Sequence, residues 1–107
     1  MANIFRNFPQ SNVSANQVIY TVAEGTTSTL IGMTIANVTE TAQTANVAIV
    51  SAGDSNTFSI VKNASVPVGG ALVPVGGTQK LVLETGDSLT TSTSGNCDVI
   101  LSVLEIT

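Results

Sequence analysis

Apolar and polar side chains alternate along most of the chain, in short runs that turn-forming residues interrupt. Alternation with a period of two indicates β-strands with one buried face. The predicted strands are Gln17–Ala23, Leu30–Val38, Ala45–Ser51, a strand marked by Phe58, Ile60 and Lys62, Gln79–Thr85, Ser88–Thr93 and Cys97–Ile106. Short strands at this spacing are typical of an all-β sandwich or small barrel. We predict an antiparallel β-sandwich, Ig-like or jelly-roll-like, that forms a single domain.

The alternation also predicts which side chains share a face of a strand. The two predicted sets are Val18, Tyr20 and Val22 in one strand, and Ile31, Met33 and Ile35 in the next. The last strand differs because both of its faces are apolar: Val99, Leu101 and Val103 on one, and Ile100, Leu104 and Ile106 largely on the other. Strands buried on both faces have this pattern. We therefore expect the sheet interior on one side and a second layer or a neighbouring subunit on the other.

Two prolines interrupt the pattern between Val66 and Gly77, where Val-Pro-Val-Gly-Gly occurs twice. Proline cannot donate a hydrogen bond to a ladder and is confined to edges, bulges and connections. This segment is predicted to be an extended crossover or an edge strand with Gly-Gly turns. Its valines are expected to face outward or to contact a partner.

The first residues are predicted to form an N-terminal arm over 1–12, with the sandwich domain over 13–107. Apolar side chains on such an arm would be exposed unless a partner covered them. The residues expected to contact a partner, in the arm and in the proline-containing segment, are Ile4, Phe5, Arg6, Phe8, Pro67, Val68, Pro74 and Val75. The start lacks the features of a secretory signal, so synthesis in the cytoplasm is expected.

Charged residues make up 9% of the sequence, and the formal net charge is −4. A protein that binds a phosphate backbone needs a basic surface, so nucleic acid is not expected as a partner. The apolar runs are far shorter than the roughly 20 residues that cross a bilayer, so a membrane is not expected either. Because a monomer with so few surface charges would be poorly soluble, we expect a homo-oligomer, with a trimer as one option.

Motifs that suggest reactive sites lack the residues that the chemistry needs. Gly86-Asp87-Ser88-Leu89 matches the nucleophile tetrapeptide of a class of esterases, but a serine nucleophile needs a base such as histidine, and the sequence has none. A Gly-Asp hairpin turn is predicted there instead. The single cysteine, Cys97, is expected to be a packed strand thiol, and Asn37 of Asn37-Val38-Thr39 a turn or strand-edge residue. No zinc or calcium site is expected, because histidine is absent and the acidic residues are scattered. We predict no enzyme activity, no catalytic residues and no cofactor.

Three segments together resemble a family of small virion structural proteins. They are Met1–Asn7 at the start, Val66–Val73 with Gly76–Asp87 in the third quarter, and Asp98–Thr107 at the end. The family occurs in tailed bacteriophages, particularly those of aquatic bacteria such as cyanobacteria. The resemblance implies a non-enzymatic, β-rich subunit of the virion that is present in many copies.

Within this class we expect a capsid decoration (cement) protein that contacts the major capsid protein or other virion proteins and joins neighbouring capsomers. A neck, tail or fibre-base subunit is the alternative. A host-surface or polysaccharide-binding module is a further one, which the small number of aromatic residues disfavours: Tyr20, Phe5, Phe8 and Phe58.

Overall fold

A computed structural model of the chain describes residues 3–53, 55–75 and 80–107. These residues form nine strands and no helix. The strands are β1 (Asn3–Val13), β2 (Gln17–Thr21), β3 (Thr27–Asn37), β4 (Gln43–Val50), β5 (Thr57–Val66), β6 (Ala71–Val75), β7 (Leu81–Leu83), β8 (Ser88–Thr93) and β9 (Cys97–Ile106). The predicted all-β class is confirmed. A search of the described residues for a helix long and apolar enough to cross a membrane finds none.

The strands form two antiparallel sheets that pack face to face. Sheet A has the order β1-β9-β3-β6, with β7 also paired to β3, and sheet B has the order β2-β8-β4-β5. β6 pairs with β3 around Ile35, and β7 pairs with β3 around Thr29. The two short strands therefore follow each other along one edge of β3, as the halves of one interrupted strand.

If β6 and β7 are counted together as the sixth strand, β8 becomes the seventh and β9 the eighth. The order of these eight strands is then 1-8-3-6 in sheet A and 2-7-4-5 in sheet B. Every connection crosses between the sheets except the one from β4 to β5, which pair as neighbours. Eight strands wrapped in two sheets are typical of a jelly roll. In an Ig-like sandwich the first two strands are neighbours in one sheet, whereas here β1 and β2 lie in different sheets. The predicted β-sandwich is confirmed, in its jelly-roll form.

The core lies between the two sheets. Val99, Leu101 and Val103 of β9 are fully buried, as the alternation predicts, and Cys97 is buried with them. The largest fully buried side chains opposite and beside them include Leu30, Met33, Ile35, Leu83, Leu89 and Val47. Each such side chain contributes about 1.5–3 kcal/mol relative to an exposed one. The expectation of a packed thiol at Cys97 is confirmed.

Two β-bulges change which side chains face this core. The register shifts after Val18 in β2 and after Leu30 in β3. A shift of one residue moves the following side chains to the opposite face. Val18 is therefore exposed although Tyr20 is buried, and Leu30 takes the buried place that was expected for Ile31. The predicted sets are wrong at Val18 and at Ile31.

The described N-terminal residues form a strand rather than an arm without strand character. β1 lies at the edge of sheet A and pairs with β9 from Asn3–Ile106 to Val13–Cys97. Most of its side chains are exposed, with Phe8 half-buried and Val13 buried. Because an open edge buries few side chains, β1 lacks the alternation that identifies the other strands, and its pairing depends on the backbone of β9.

The proline-containing segment forms a turn and then an edge strand, as predicted. Gly69 has a φ of +70°, and the carbonyl of Pro67 accepts the N–H of Gly70 at 3.0 Å. β6 follows, and it tolerates Pro74 because it lies at the edge of sheet A. The second glycine pair, Gly76-Gly77, lies outside the described residues.

Gly86 and Asp87 form the predicted turn, but it is not a hairpin, because β7 and β8 belong to different sheets. Gly86 has a φ of +86°, and the carbonyl of Glu84 accepts the N–H of Asp87 at 3.0 Å. The Asp87 carboxylate accepts the N–H groups of Ala52, at 2.9 Å, and of Glu84, at 3.0 Å. The motif that resembles an esterase nucleophile thus joins this turn to the β4–β5 loop.

Candidate interaction face of sheet A

The outer face of sheet A carries a row of side chains that crosses four strands. The register places Phe5 of β1 opposite Leu104 of β9, Leu104 opposite Thr29 of β3, and Thr29 opposite Val82 of β7. Phe5 is 74% exposed and Val82 is 62% exposed, while Leu104 is half-buried. We call this set the Phe5 row. It is an apolar strip that is open to solvent.

A second row, the Ile100 row, runs parallel to the first. Ile100 lies opposite Pro9 on one side and Thr34 on the other, and it is 50% exposed. Ile100 and Leu104 are four residues apart on one strand, so the two rows are separated by roughly 13 Å. Ile106, at the end of β9, adds a half-buried apolar side chain to the same face.

A groove of about 660 Å³ lies beside the Phe5 row. At the level of the groove, Asn7, Ser102 and Gly32 lie opposite one another on β1, β9 and β3. Their side chains are short or absent, so they leave space between the larger side chains of the flanking rows. The other residues that line the groove are Phe5, Arg6, Phe8, Ile31 and Val103. The shape suits an inserted side chain of a partner.

Few charged residues contribute to this part of the face, and Arg6 is the charged one that lines the groove. From Ile106 to Ile100 of β9, and at the positions opposite them on β1 and β3, the residues of the outer face are all uncharged. They are Asn3, Phe5, Asn7, Pro9, Ile100, Ser102, Leu104, Ile106, Thr27, Thr29, Gly32 and Thr34. Arg6 and Glu105, in the same strands, point to the opposite side and pair there at 2.8 Å. Covering this face therefore removes little charge from water, which is the property of the central part of protein–protein interfaces.

The residues expected to contact a partner do not come together in one patch. Phe5 lies in the outer face of sheet A, whereas the neighbouring positions Ile4, Arg6 and Phe8 alternate to the other face of β1. Ile4 is partly exposed there. Phe8 packs against Tyr20 of β2.

The proline-containing segment lies at the other end of sheet A. Gly70 accepts the N–H of Asn37 at 3.1 Å, and Asn37 is at the end of β3 that pairs with Cys97. Cys97 pairs with Val13, eight residues along β1 from Phe5, a distance of roughly 25 Å.

Among the predicted contacts in that segment, Pro67 and Val68 of the turn are exposed, while Pro74 is half-buried. Val75 is fully buried, as is Val66, so the expectation that the valines face outward holds only for Val68 and Val73. As a contact residue Val75 is wrong, because its position opposite Met33 points the side chain into the core.

Several residues of the face were not in the predicted contact set. The apolar second face of the last strand indicated Ile100 and Leu104, and this signal was present in the sequence. Val82 and Ile31 could not be found in this way. Their places depend on the pairing of β7 with β3 and on the bulge after Leu30, neither of which alternation encodes.

A polar cluster lies beneath the face, at the inner side of β9. The hydroxyl of Tyr20 is 2.6 Å from the Ser28 hydroxyl and donates to Glu105 Oε2 at 2.6 Å. Burial and the hydrogen bond to Glu105 raise the pKa of Tyr20 to about 12. Tyr20 therefore keeps its proton at neutral pH. Together with the Arg6–Glu105 ion pair, the cluster fastens β1, β2 and β3 to β9.

The described residues bring together no group of three or more histidine, cysteine, aspartate or glutamate side chains that would hold a metal ion. Comparison with protein-family models, with curated proteins and with solved structures finds no match for this chain. The outer face of sheet A is therefore the feature from which the function is inferred.

Proposed function

We propose that the chain is a structural subunit of a bacteriophage particle, a capsid decoration (cement) protein that lies on the shell and joins neighbouring capsomers. The observation that carries this proposal is the pair of exposed apolar rows, the Phe5 row and the Ile100 row, on the outer face of sheet A. Exposed contiguous apolar surface on a small domain marks a site of interaction. The Phe5 and Ile100 rows would contact the shell protein, and the groove beside Phe5 would receive one of its side chains.

The jelly roll supports the proposal by analogy, since the fold occurs in viral capsid domains as well as in lectins and cupins. A fold does not decide function on its own. A sugar-binding face would use clustered aromatic rings, but Phe8 packs on Tyr20, and Phe5 and Phe58 lie in different sheets. The sequence has no histidine for a cupin-like metal site. These features favour a protein surface as the partner.

The dimensions also suit a subunit that bridges two neighbours. The chain measures 45 Å in its longest direction and 27 Å by 23 Å across. Phe5 lies towards one end of sheet A, and the exposed Pro67–Val68 turn lies at the other. Apolar contacts separated in this way would let one subunit touch two capsomers.

The copy number in purified particles tests the proposal. We expect the chain in amounts comparable with the major shell protein when particles are quantified by mass spectrometry against labelled peptides. A copy number that matches a single ring would replace the decoration role by the neck, tail or fibre-base alternative. Absence from washed particles would overturn the virion role altogether.

Charge substitutions test the face itself. Purified variants are added to particles stripped of the chain, and bound protein is measured after sedimentation. Ile100→Glu and Val82→Glu are expected to abolish binding, because each places a carboxylate in the apolar contact. Val18→Glu is the matched control, since Val18 is 58% exposed on the other sheet. Equal binding of all three variants would contradict the assignment of this face.

A further inference from the structure

We infer that the free edge of β1 from Asn3 to Asn7 pairs with the same segment of a second copy of this chain. The two strands run antiparallel about a two-fold axis, so that sheet A continues across two subunits. This inference rests on the edges of the sheets and not on the proposed role in a virion. It holds for the isolated chain in solution.

The other sheet edges carry features that hinder pairing. Short strands, prolines, charges and bulges protect an edge from another strand. β7 has three residues, β6 contains Pro74, and β2 has five residues and a bulge. β5 is long, but it contains Lys62, register shifts and Asn63 with a φ of +53°.

The edge of β1 is different over its first part. Asn3 to Phe8 keep an unbroken register with β9 through six consecutive pairs. The irregular features of β1 come later, at Pro9 and at Asn12, which has a φ of +57° beside a register shift. A regular, solvent-exposed stretch of backbone N–H and C=O groups is the template for strand addition.

Charge does not oppose this pairing of identical segments. The segment has one charged residue, Arg6, and the Glu105 carboxylate of the same subunit lies 2.8 Å from its guanidinium group. Since the pair is neutral as a unit, the segment itself adds no repulsion when two copies pair along it.

The position of the axis follows from two constraints. Opposite residues of antiparallel strands point to the same face, so a residue pairs with itself at the axis. An axis at Arg6 would place two guanidinium groups opposite each other, and an axis further along would bring Pro9, which lacks an N–H, into the ladder. An axis at Phe5 avoids both, and it pairs the five residues Asn3 to Asn7, whereas an axis at Ile4 would pair only Asn3 to Phe5. It places Phe5 opposite Phe5, Ile4 opposite Arg6 and Asn3 opposite Asn7.

This register also covers the most exposed large apolar side chain of the described residues, Phe5 at 74%. Cross-strand aromatic pairs are among the favourable pairs in sheets. Because the axis is perpendicular to the sheet, the outer faces of both subunits lie on the same side of the dimer. The two apolar faces become one continuous surface.

Variants with one added cysteine test the register. Residues opposite each other have Cα atoms about 4.5–5.5 Å apart, which is within the range for a disulfide. We expect Phe5→Cys to form a disulfide-linked dimer on mild oxidation. Asn3→Cys and Asn7→Cys are expected to cross-link with each other when mixed, and much less when each is alone.

The unchanged chain is the control for cross-linking, because its Cys97 is fully buried. Efficient self-linking of Asn7→Cys, without linking of Phe5→Cys, would overturn the proposed register. The absence of cross-linking in every variant would overturn the β1 pairing.

Sedimentation velocity tests the pairing without any new cysteine. The unchanged chain is expected to show a monomer–dimer equilibrium, and Phe5→Ser to weaken it about tenfold or more. Phe58→Ser is the matched control, since Phe58 is 56% exposed on β5 of the other sheet. A monomer at every concentration, a trimer, or an equal effect of the two substitutions would each overturn the inference.

Discussion

The ring of Phe8 packs against the ring of Tyr20, with centroids 4.7 Å apart and planes inclined by 35°. Phe8 belongs to the edge strand of sheet A, and Tyr20 belongs to the edge strand of sheet B. The pair therefore closes the sandwich along the side where both sheets end. Val13 is buried at the far end of β1, and from Asn3 to Asn12 every side chain except Phe8 is exposed, so this contact is the main apolar attachment of that part of the strand.

The two phenylalanines of β1 should differ in their effect on stability, because Phe8 is half-buried against Tyr20 and Phe5 is exposed. We expect Phe8→Ala to lower the free energy of unfolding by about 2–3 kcal/mol, because it removes a half-buried ring and leaves Tyr20 without its neighbour. Phe5→Ala is expected to change the free energy by less than about 0.5 kcal/mol. Urea unfolding at a concentration where the chain is monomeric measures both. Equal losses would contradict this account of β1.

The titration of Tyr20 tests the cluster at β9. Burial and the hydrogen bond to Glu105 raise its pKa from 10.0 to about 12. The folded state thus keeps a proton that the unfolded state loses between these values. The contribution to stability is fully present below pH 10 and is lost as the pH rises towards 12.

Tyrosinate absorbance reports this group alone, because the sequence has one tyrosine and no tryptophan. The midpoint is expected near 12 in the native protein and near 10 in urea. Glu105→Gln is expected to lower the native midpoint while leaving it above 10, since burial remains the larger cause. A native midpoint at 10 would show that the hydroxyl is not held in this way.

Alternation in the sequence located most of the strands, and Ser88–Thr93 and Cys97–Ile106 agree with β8 and β9 residue by residue. These strands bury a full face, so the pattern is strong. β1 lacks such a face and was missed as a strand. The strand order also had to come from the structure, because it depends on pairings between distant segments that local alternation does not encode.

The candidate face likewise combines residues that local alternation predicts with residues that only long-range pairing places. Ile100 and Leu104 follow from the doubly apolar pattern of the last strand. The contribution of Val82 depends on the register of β7 against β3. A side chain from a three-residue strand becomes part of a surface only through such long-range pairing, so no local pattern could have placed it there.

Asn37 provides a test of a buried polar network. Its Nδ2 donates to the carbonyls of Thr41, at 2.8 Å, and Val66, at 3.1 Å, while Oδ1 accepts the N–H of Thr39 at 2.9 Å. Asn37→Asp replaces the donor by an oxygen that faces these carbonyls. We expect a loss of about 2–4 kcal/mol in the free energy of unfolding. Asn96→Asp, at an exposed position, adds the same charge and should cost little. Similar losses for both would contradict the role of the network.

Cys97 tests how tightly the core is closed at the start of β9. Burial raises the pKa of its thiol, and the thiolate is the reactive form. We expect a disulfide reagent to modify Cys97 only as fast as the protein unfolds, and rapidly in urea. Val68→Cys, at an exposed turn position, should react at once in the native protein. Immediate modification of Cys97 in the unchanged native chain would contradict the burial.

Two glycines with similar backbone angles separate conformational strain from crowding. Gly86 has a φ of +86°, and a Cβ there would lie 2.8 Å from the Cβ of Ala52; Gly25 has a φ of +77° and open space around it. Alanine at either position costs about 1–2 kcal/mol in backbone strain. Gly86→Ala is expected to lose more stability than Gly25→Ala, because Ala52 must also move.

The additional loss of stability in Gly86→Ala, compared with Gly25→Ala, should depend on Ala52 in the β4–β5 loop. In the double variant Gly86→Ala with Ala52→Gly the clash is removed, so the added loss is expected to disappear when it is compared with Ala52→Gly alone. Urea unfolding of the unchanged chain, the two single variants and the double variant gives the coupling between the two positions. A coupling of zero would mean that the loop yields without cost, and that the contact between Ala52 and the turn does not restrain residue 86.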